Sequence, residues 1–149
     1  MAYKYSYGYE EEKYQTPKLP TNRSMWKLML LNILTLGVYN ILFFIPFSFD
    51  IDKISPKRDL SKTMNYLFAH LLAAFTFAIV LDVWFYQISE RVENALSERE
   101  INYDFGTEHF WIWFFFGTLI LVGPFIYYHK LCTAMNLLCE DYNNKLTSK

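Results

Sequence analysis

Three long apolar stretches dominate the pattern of hydrophobic and polar positions along the chain. They run from Leu28 to Phe49, from Tyr66 to Tyr86 and from Phe110 to Tyr128, and Asp82 is the one formal charge inside them. Because about 20 helical residues cross the roughly 30 Å of hydrocarbon in a bilayer, each stretch has the length of one spanning helix. The pattern therefore predicts an all-α integral membrane protein with three transmembrane helices. The predicted spans cover about 26–48, 64–87 and 109–129.

Charged segments follow the second and third stretches, and both keep a helical period. Within 88–101, Ile88, Val92 and Leu96 recur every four residues, while charged side chains occupy the opposite side. This arrangement is typical of an amphipathic helix, and these three residues are a candidate contact face. We expect the helix to lie along the membrane interface or against a partner. Residues 130–142 predict a second, shorter amphipathic extension.

Composition fits a membrane domain once its uneven distribution is considered. Hydrophobic residues make up 53% of the chain and aromatic residues 20%, but mean hydropathy is only +0.06 because charged segments separate the apolar stretches. Many rings lie at the ends of these stretches, where the headgroup layer favours them. The net charge of −1 gives no reason to expect a nucleic-acid partner. We expect a polar, Tyr-rich tail at 1–23, a membrane domain at 24–142 and a polar C-terminal tail at 143–149.

Four polar positions lie inside the predicted spans. Asn32 and Asn40 are eight residues apart on nearly one face of the first span, so they either hydrogen-bond neighbouring helices or line a hydrated path. Asp82 either handles a proton or cation, or pairs and reaches headgroup water, because it lies two residues before Trp84. His70 is either a hydrogen-bonded packing residue or a sensor or ligand.

The second span also carries small residues at a packing spacing. Ala69 and Ala73 are four residues apart, as are Ala74 and Ala78. Small side chains at this spacing let helix backbones approach closely, so these alanines are candidate helix-packing positions. The alternative is that alanine is simply common in such a stretch.

Catalytic and metal-binding patterns are weak. The chain contains no glycine-rich phosphate loop, GxSxG turn or HExxH pair, so we expect no enzyme and no cofactor. His129 and Cys132 could share a metal ion at i, i+3, but Cys139 lies two turns further along a helix. We therefore assign no catalytic residue and no metal site.

The first two apolar stretches show an internal similarity. TLGVYNILFFIPFSFDI aligns with TFAIVLDVWFYQISERV at an offset of 41, and Thr35 meets Thr76 in this alignment. The third stretch follows more weakly at an offset of about 42, through Thr118 among others. The similarity reflects either internal duplication or a chance match between apolar stretches. A true repeat of single spans would have inverted topology.

Most of the chain resembles one known family. The segments that carry the resemblance are RSMWKLMLLNILTLGVYNILFF, FTFAIVLDVWFYQISERVENAL and FWIWFFFGTLILVGPFIYYHKLCTAMNLL. They look like the small bacterial membrane proteins grouped as domain of unknown function 4234, over about residues 23–142. The most specific parts are the Thr-Leu-Gly-Val-Tyr core at 35–39 and the aromatic-then-polar segments at 84–91 and 127–136. The resemblance implies a bacterial multi-span protein, and it supplies no activity and no functional residues.

Two functional hypotheses from different classes fit these observations. The first is a non-enzymatic scaffold, anchor or regulatory subunit, a multi-pass protein of the bacterial inner membrane that acts through helix packing and its amphipathic extensions. The second is an oligomeric channel or transporter subunit, with a pathway lined by the polar face of the first span. Both place the chain in the lipid bilayer, as a homo-oligomer or with a membrane-protein partner. Lysine and arginine are balanced at the span ends, which leaves the orientation open.

Overall fold

The computed structural model describes residues 17–55, 62–76 and 78–147 of the chain. Over these ranges the protein is all-α, which confirms that part of the predicted fold class, and no strand is present. A π-helical segment and a 3-10 segment follow the short helix α5. The helical elements are α1 Met25–Leu34, α2 Val38–Ile54, α3 Tyr66–Ala73, α4 Ile79–Glu98, α5 Thr107–His109, π Phe110–Phe115, 3-10 Phe116–Ile120 and α6 Gly123–Thr147.

Each apolar stretch folds as a helical hairpin, where the hydropathy pattern predicted one continuous helix. Leu36 and Gly37, with φ of 50° and 93°, separate α1 from α2. Ala78, at φ 68°, separates α3 from α4, and Leu121, at φ 62°, lies just before α6. A residue at positive φ cannot continue a right-handed helix, so the chain reverses at each of these points. We call the units hairpin 1 (α1–α2), hairpin 2 (α3–α4) and hairpin 3 (from α5 to α6).

None of the described helices combines the length and the apolar character needed to cross a membrane.

The three turns share one hydrogen-bonding device. A threonine hydroxyl donates to the carbonyl four residues earlier, and the threonine's own carbonyl accepts from the N–H three residues later. The threonines are Thr35, Thr76 and Thr118, spaced at the offsets of 41 and 42 seen in the sequence alignment. The internal similarity therefore corresponds to three hairpins built in the same way.

The second arms of the hairpins pack as a parallel bundle. Phe44, Phe85 and Tyr128 each follow the left-handed turn residue by seven positions, and their ring centroids lie 5.2, 5.6 and 5.9 Å apart. The positions seven residues further on are fully buried in every arm. They are Ile51, Val92 and Met135. The pairs Arg91–Asp52 and Arg99–Asp141 join the same arms again, further from the turns than the three rings. Because the arms meet at both levels, α2, α4 and α6 run in the same direction, and the repeat is not inverted.

Part of the predicted N-terminal tail packs onto this bundle. Asn143 binds the backbone of Leu19 through both its amide oxygen and its amide nitrogen, at 2.8 Å each. Asn136, two helical turns earlier on α6, binds the backbone of Arg23 in the same way at 3.0 and 2.8 Å. These paired contacts extend the folded unit beyond the predicted boundary at residue 24. Residues 1–16 lie outside the described residues.

The predicted C-terminal tail also differs from the structure. Helix α6 continues to Thr147, so most of 143–149 is helical. Its side chains include Asn143, which holds the N-terminal segment, and Lys145, which pairs with Asp141 at 2.9 Å. Residues 148 and 149 lie outside the described part of the chain.

Candidate membrane contact surface

The three turns expose large apolar side chains at one end of the bundle. Leu36 is 95% exposed, Phe75 is 85% exposed and Leu119 is 85% exposed. Since α2, α4 and α6 start at their turns and run in parallel, the turns lie at the same end. We call the exposed apolar residues of this end the tip surface. It comprises Ile33, Leu34, Leu36, Val38, Phe75, Ile79, Leu119, Ile120, Leu121 and Val122.

Several backbone N–H groups at the tips donate to acceptors within the chain. In hairpin 1, the N–H of Tyr39 donates to the Thr35 hydroxyl oxygen at 2.9 Å, and the N–H of Val38 donates to the Thr35 carbonyl at 3.2 Å. In hairpin 2, the N–H of Ala78 donates to the Ala73 carbonyl at 3.0 Å. An unpaired backbone group in hydrocarbon costs several kcal/mol. These hydrogen bonds therefore lower the free-energy cost of placing the turns in an apolar environment.

A layer of aromatic rings separates the tip surface from the rest of the bundle. Trp84 is buried, donates from its indole nitrogen to the Met64 carbonyl at 2.6 Å, and contacts the Tyr66 ring with centroids 4.7 Å apart. Trp26 and Trp111 are exposed near the start of the first arms of hairpins 1 and 3. Rings with a polar edge favour the headgroup layer, so their positions suit a boundary between lipid and water.

The opposite end of the bundle, which we call the base, is held by three arginine–aspartate pairs. Arg91 on α4 pairs with Asp52 on α2 at 2.7 Å. The other two pairs join the N-terminal segment to α2 and join α4 to α6. They are Arg23–Asp50 and Arg99–Asp141. Each pair therefore connects segments that are distant in the sequence.

The third pair also caps a helix and shifts a carboxyl pKa. Arg99 donates to the carbonyl of Ile54, the last residue of α2, at 2.9 Å. Burial acts to raise the pKa of Asp141, but hydrogen bonds from Lys145 and Arg99 outweigh it and lower this pKa below its usual value. Asp141 is therefore stabilised as a carboxylate at neutral pH.

The four polar positions predicted within the spans occupy different settings. Asn40 donates from its amide nitrogen to the Tyr66 hydroxyl at 2.7 Å, and the Tyr66 ring contacts the His70 ring at 5.8 Å. Asn32 has a buried amide oxygen with no hydrogen-bond partner among the described residues. Asp82 lies in a groove between hairpins 2 and 3. The structure joins Asn40 and His70 through Tyr66, a residue that the sequence analysis did not select.

The residues predicted as contact faces mostly have other positions. Ile88, Val92 and Leu96 are at most 3% exposed and lie in the core of the bundle, so they are not available to an outside partner. Their helical period reflects packing inside the chain. Of the four alanines, Ala69 is fully buried, Ala73 is half-buried, and Ala74 and Ala78 are exposed in the turn of hairpin 2.

A close backbone approach lies in hairpin 3, at glycines that the alanine spacing did not indicate. A Cβ added to Gly123 would lie 2.3 Å from the Cα of Gly117 and 2.2 Å from the carbonyl oxygen of Trp113. A Cβ added to Gly117 would lie 2.7 Å from the Cα of Gly123. Both positions therefore require glycine, because each glycine packs against the backbone of the opposite arm.

One group of side chains has atoms suited to a metal ion. Ligand atoms of Asp104, Glu108 and His109 lie within 4.8 Å of one another. The Lys130 ammonium occupies the same place, 2.9 Å from Nε2 of His109 and 3.2 Å from a carboxylate oxygen of Asp104. Its hydrogen bond lowers the pKa of Asp104, so the carboxylate already has a cation beside it.

The two cysteines lie in the packed base and are shielded from solvent. Cys132 and Cys139 are both buried, and burial raises the pKa of Cys132 to about 12. The Arg23 guanidinium lies 3.2 Å from the Cys139 sulfur, but burial still raises the pKa of that thiol. Thiolate is the nucleophile and the metal ligand, so neither side chain fits either role at neutral pH.

Comparison with known proteins gives a match to one family description. Residues 23–94 are similar to the family described as Domain of unknown function (DUF4234). The matched segment contains hairpin 1 and most of hairpin 2, and hairpin 3 follows it. No curated protein and no solved structure matches the chain.

Proposed function

We propose that the protein is a non-enzymatic anchor or scaffold of the bacterial inner membrane, whose three hairpins insert the tip surface into one leaflet. The exposed apolar turns, gathered at one end of the bundle, carry this proposal. Helix α1 has 10 residues, a length of about 15 Å, which is about half of the hydrocarbon thickness. In this proposal the three hairpins enter the membrane partly, from one side, and do not cross it as the three predicted spans would.

The base then faces water and is the surface available to a partner. It carries exposed side chains of both signs, among them Lys53, Glu90 and Glu98. The tip surface, at the other end, is an exposed apolar patch, and such patches mark interaction sites on proteins. Attachment to lipid at one end and to protein at the other is the arrangement that a scaffold or regulatory subunit needs. Its homo-oligomer or membrane-protein partner stays a prediction.

The channel hypothesis also stays a prediction. Its pathway was expected along the polar face of the first stretch, at Asn32 and Asn40. The amide nitrogen of Asn40 is bonded to Tyr66 inside the chain, so this side chain supports packing between hairpins 1 and 2. This contact favours the scaffold hypothesis over a lined pathway.

Cysteine labelling from each side of the membrane tests the insertion. Lys53 and Asn94 occupy equivalent places at the base of hairpins 1 and 2, near the Arg91–Asp52 pair. We expect Lys53→Cys and Asn94→Cys to react with a membrane-impermeant maleimide from the same side. The parent chain gives the background, which we expect to be slow because Cys132 and Cys139 are buried. Labelling of the two positions from opposite sides would show three complete crossings and contradict the proposal.

A carboxylate placed in the tip surface tests lipid contact directly. A charged residue at the centre of a membrane helix costs about 2.5–3.5 kcal/mol on insertion scales. We therefore expect Leu36→Asp to lower flotation with phospholipid vesicles by about a hundredfold in partition coefficient, since 1.4 kcal/mol is tenfold. Asn94→Asp adds the same charge at the exposed base and should float like the parent. Equal flotation of Leu36→Asp and Asn94→Asp would exclude the tip surface as the lipid contact.

A further inference from the structure

A groove of about 220 Å³ lies between α4 and the π-helical segment of hairpin 3. Its walls are almost entirely apolar, and Asp82 is the one charged residue among those that line it. The lining residues are Asp82, Val83, Tyr86, Phe110, Trp111 and Phe115. Val83, Trp111 and Phe115 are exposed, so the groove opens to the surroundings of the bundle. It is smaller than the 300–1,000 Å³ typical of a pocket that encloses a small molecule. It therefore suits one headgroup and the beginning of one chain.

Asp82 has no cation beside it within the described part of the chain. The ion pairs formed there all lie at the base or in the connection before hairpin 3, and none includes Asp82. An ionisable side chain in an apolar membrane setting normally pairs with a charge or faces water. A cation from outside the chain would complete this site.

The rings beside Asp82 favour a particular kind of cation. The Tyr86 ring lies 6.1 Å from the Trp111 ring and 5.8 Å from the Phe110 ring, so three aromatic groups meet at one wall. Aromatic faces attract ammonium groups, and a carboxylate accepts charge-assisted hydrogen bonds from a primary ammonium. Asp82 lies one helical turn, about 6 Å, from Tyr86 on the side of the tip surface.

We propose that this groove binds the primary ammonium group of phosphatidylethanolamine, with an acyl chain of the lipid continuing along the tip surface. The ammonium contacts the Asp82 carboxylate and the Tyr86 and Trp111 rings. The inference rests on the proposed insertion, because the groove opens on the side that would contact lipid. An anionic lipid such as phosphatidylglycerol lacks the cation that the carboxylate needs.

Native mass spectrometry in micelles of a neutral, sugar-based detergent tests the site. Phosphatidylethanolamine and phosphatidylglycerol with the same acyl chains are added separately to the purified full chain. We expect phosphatidylethanolamine to be retained at least tenfold more strongly, and Asp82→Asn to abolish this preference. Glu98→Gln removes an exposed carboxylate at the base and should leave it unchanged. Trp111→Leu, which keeps the carboxylate, should reduce it severalfold.

The outcomes separate this inference from the proposed insertion. Equal retention of the two lipids, or an unchanged preference in Asp82→Asn, would overturn the lipid site. Release by Asp82→Asn of a copurified membrane protein, without any lipid preference, would assign the carboxylate to a partner's cation and also overturn it. Loss of vesicle flotation in the parent chain would contradict the insertion instead, since retention in micelles does not depend on a bilayer.

Discussion

The tip half and the base half of the same three hairpins are stabilised by different interactions. At the base, side chains such as Ile51 and Val92 are fully buried, and arginine–aspartate pairs join distant segments. At the tips, leucine and phenylalanine side chains are exposed, and the polar contacts are mainly those of the backbone with itself and with threonine hydroxyls. One apolar stretch of sequence thus contains two kinds of apolar position. One kind packs inside the protein, and the other faces its surroundings.

This difference predicts that the two halves respond to different changes. The base should depend on charge pairing and side-chain packing, because it forms a protein core. The tips should depend on backbone conformation and close approach, because few side chains pack there. Substitutions in the two halves, measured by chemical denaturation in neutral detergent micelles, test this division.

The largest effect is expected at the base, for Asp50→Asn. The side chain of Arg23 is 6% exposed and pairs with Asp50, so the variant leaves a buried guanidinium without its counter-charge. Removing one partner of a buried pair costs about 3–5 kcal/mol in unfolding free energy. Glu98→Gln, at the exposed base, should change it by less than about 0.5 kcal/mol. A loss below about 1 kcal/mol in Asp50→Asn would show that the pair does not hold the N-terminal segment.

The next effect is expected in hairpin 3, for Gly123→Ala. The added methyl group would overlap the Gly117 Cα and the Trp113 carbonyl oxygen, and both atoms belong to the backbone of the opposite arm. Overpacking of this kind typically costs about 1–3 kcal/mol. An unchanged unfolding free energy would mean that the two arms separate without penalty and that the tip half tolerates loose packing.

Smaller effects, opposite in sign to each other, are expected for substitutions at the turns of hairpins 1 and 2. Gly37 and Ala78 have φ of 93° and 68°, and a Cβ at Gly37 would meet no atom within 4 Å. Left-handed backbone costs a residue with a side chain about 1–2 kcal/mol, partly offset through the unfolded chain. Gly37→Ala should therefore destabilise the protein by about 1 kcal/mol, and Ala78→Gly should stabilise it by a similar amount. Shifts of the same sign would contradict the equivalence of the two turns.

The sequence predicts the fold class and the apolar stretches but not the turns inside them. Two short arms of a hairpin have the combined length of one spanning helix, so hydropathy cannot distinguish a crossing from a reversal. Ala78 and Leu121 have positive φ, a conformation that residues with a side chain rarely adopt, so neither residue type signals a turn by itself. The recurrence of Thr35, Thr76 and Thr118 was the available signal. It becomes interpretable once each threonine is seen bonding at its turn.

For the candidate sites, too, the sequence indicates single residues but not the contacts that the fold creates between hairpins. Asp82 is noticeable from the sequence because a lone charge in an apolar stretch is costly. Its groove is not, since Trp111 and Phe115 come from another hairpin. The helical period of Val92 and Leu96 correctly predicts a face that is in contact with something, but periodicity does not show whether a partner or the same chain makes that contact. In the structure, other residues of the same chain pack against this face.

The smallest effect is expected from the ion pair of Asp141 at the base, as pH falls. The pKa of Asp141 is lower in the folded protein than its ordinary value of 3.8, so the pair stabilises the fold above that pH. This contribution should be lost as pH falls through the lower folded pKa. Asp141 is partly exposed and Arg99 keeps its bond to Ile54, so we expect at most about 1 kcal/mol. The difference in unfolding free energy between the parent and Asp141→Asn should therefore shrink between pH 5 and about pH 2. A difference that is constant over this range would show that the pair does not contribute through the charge of Asp141.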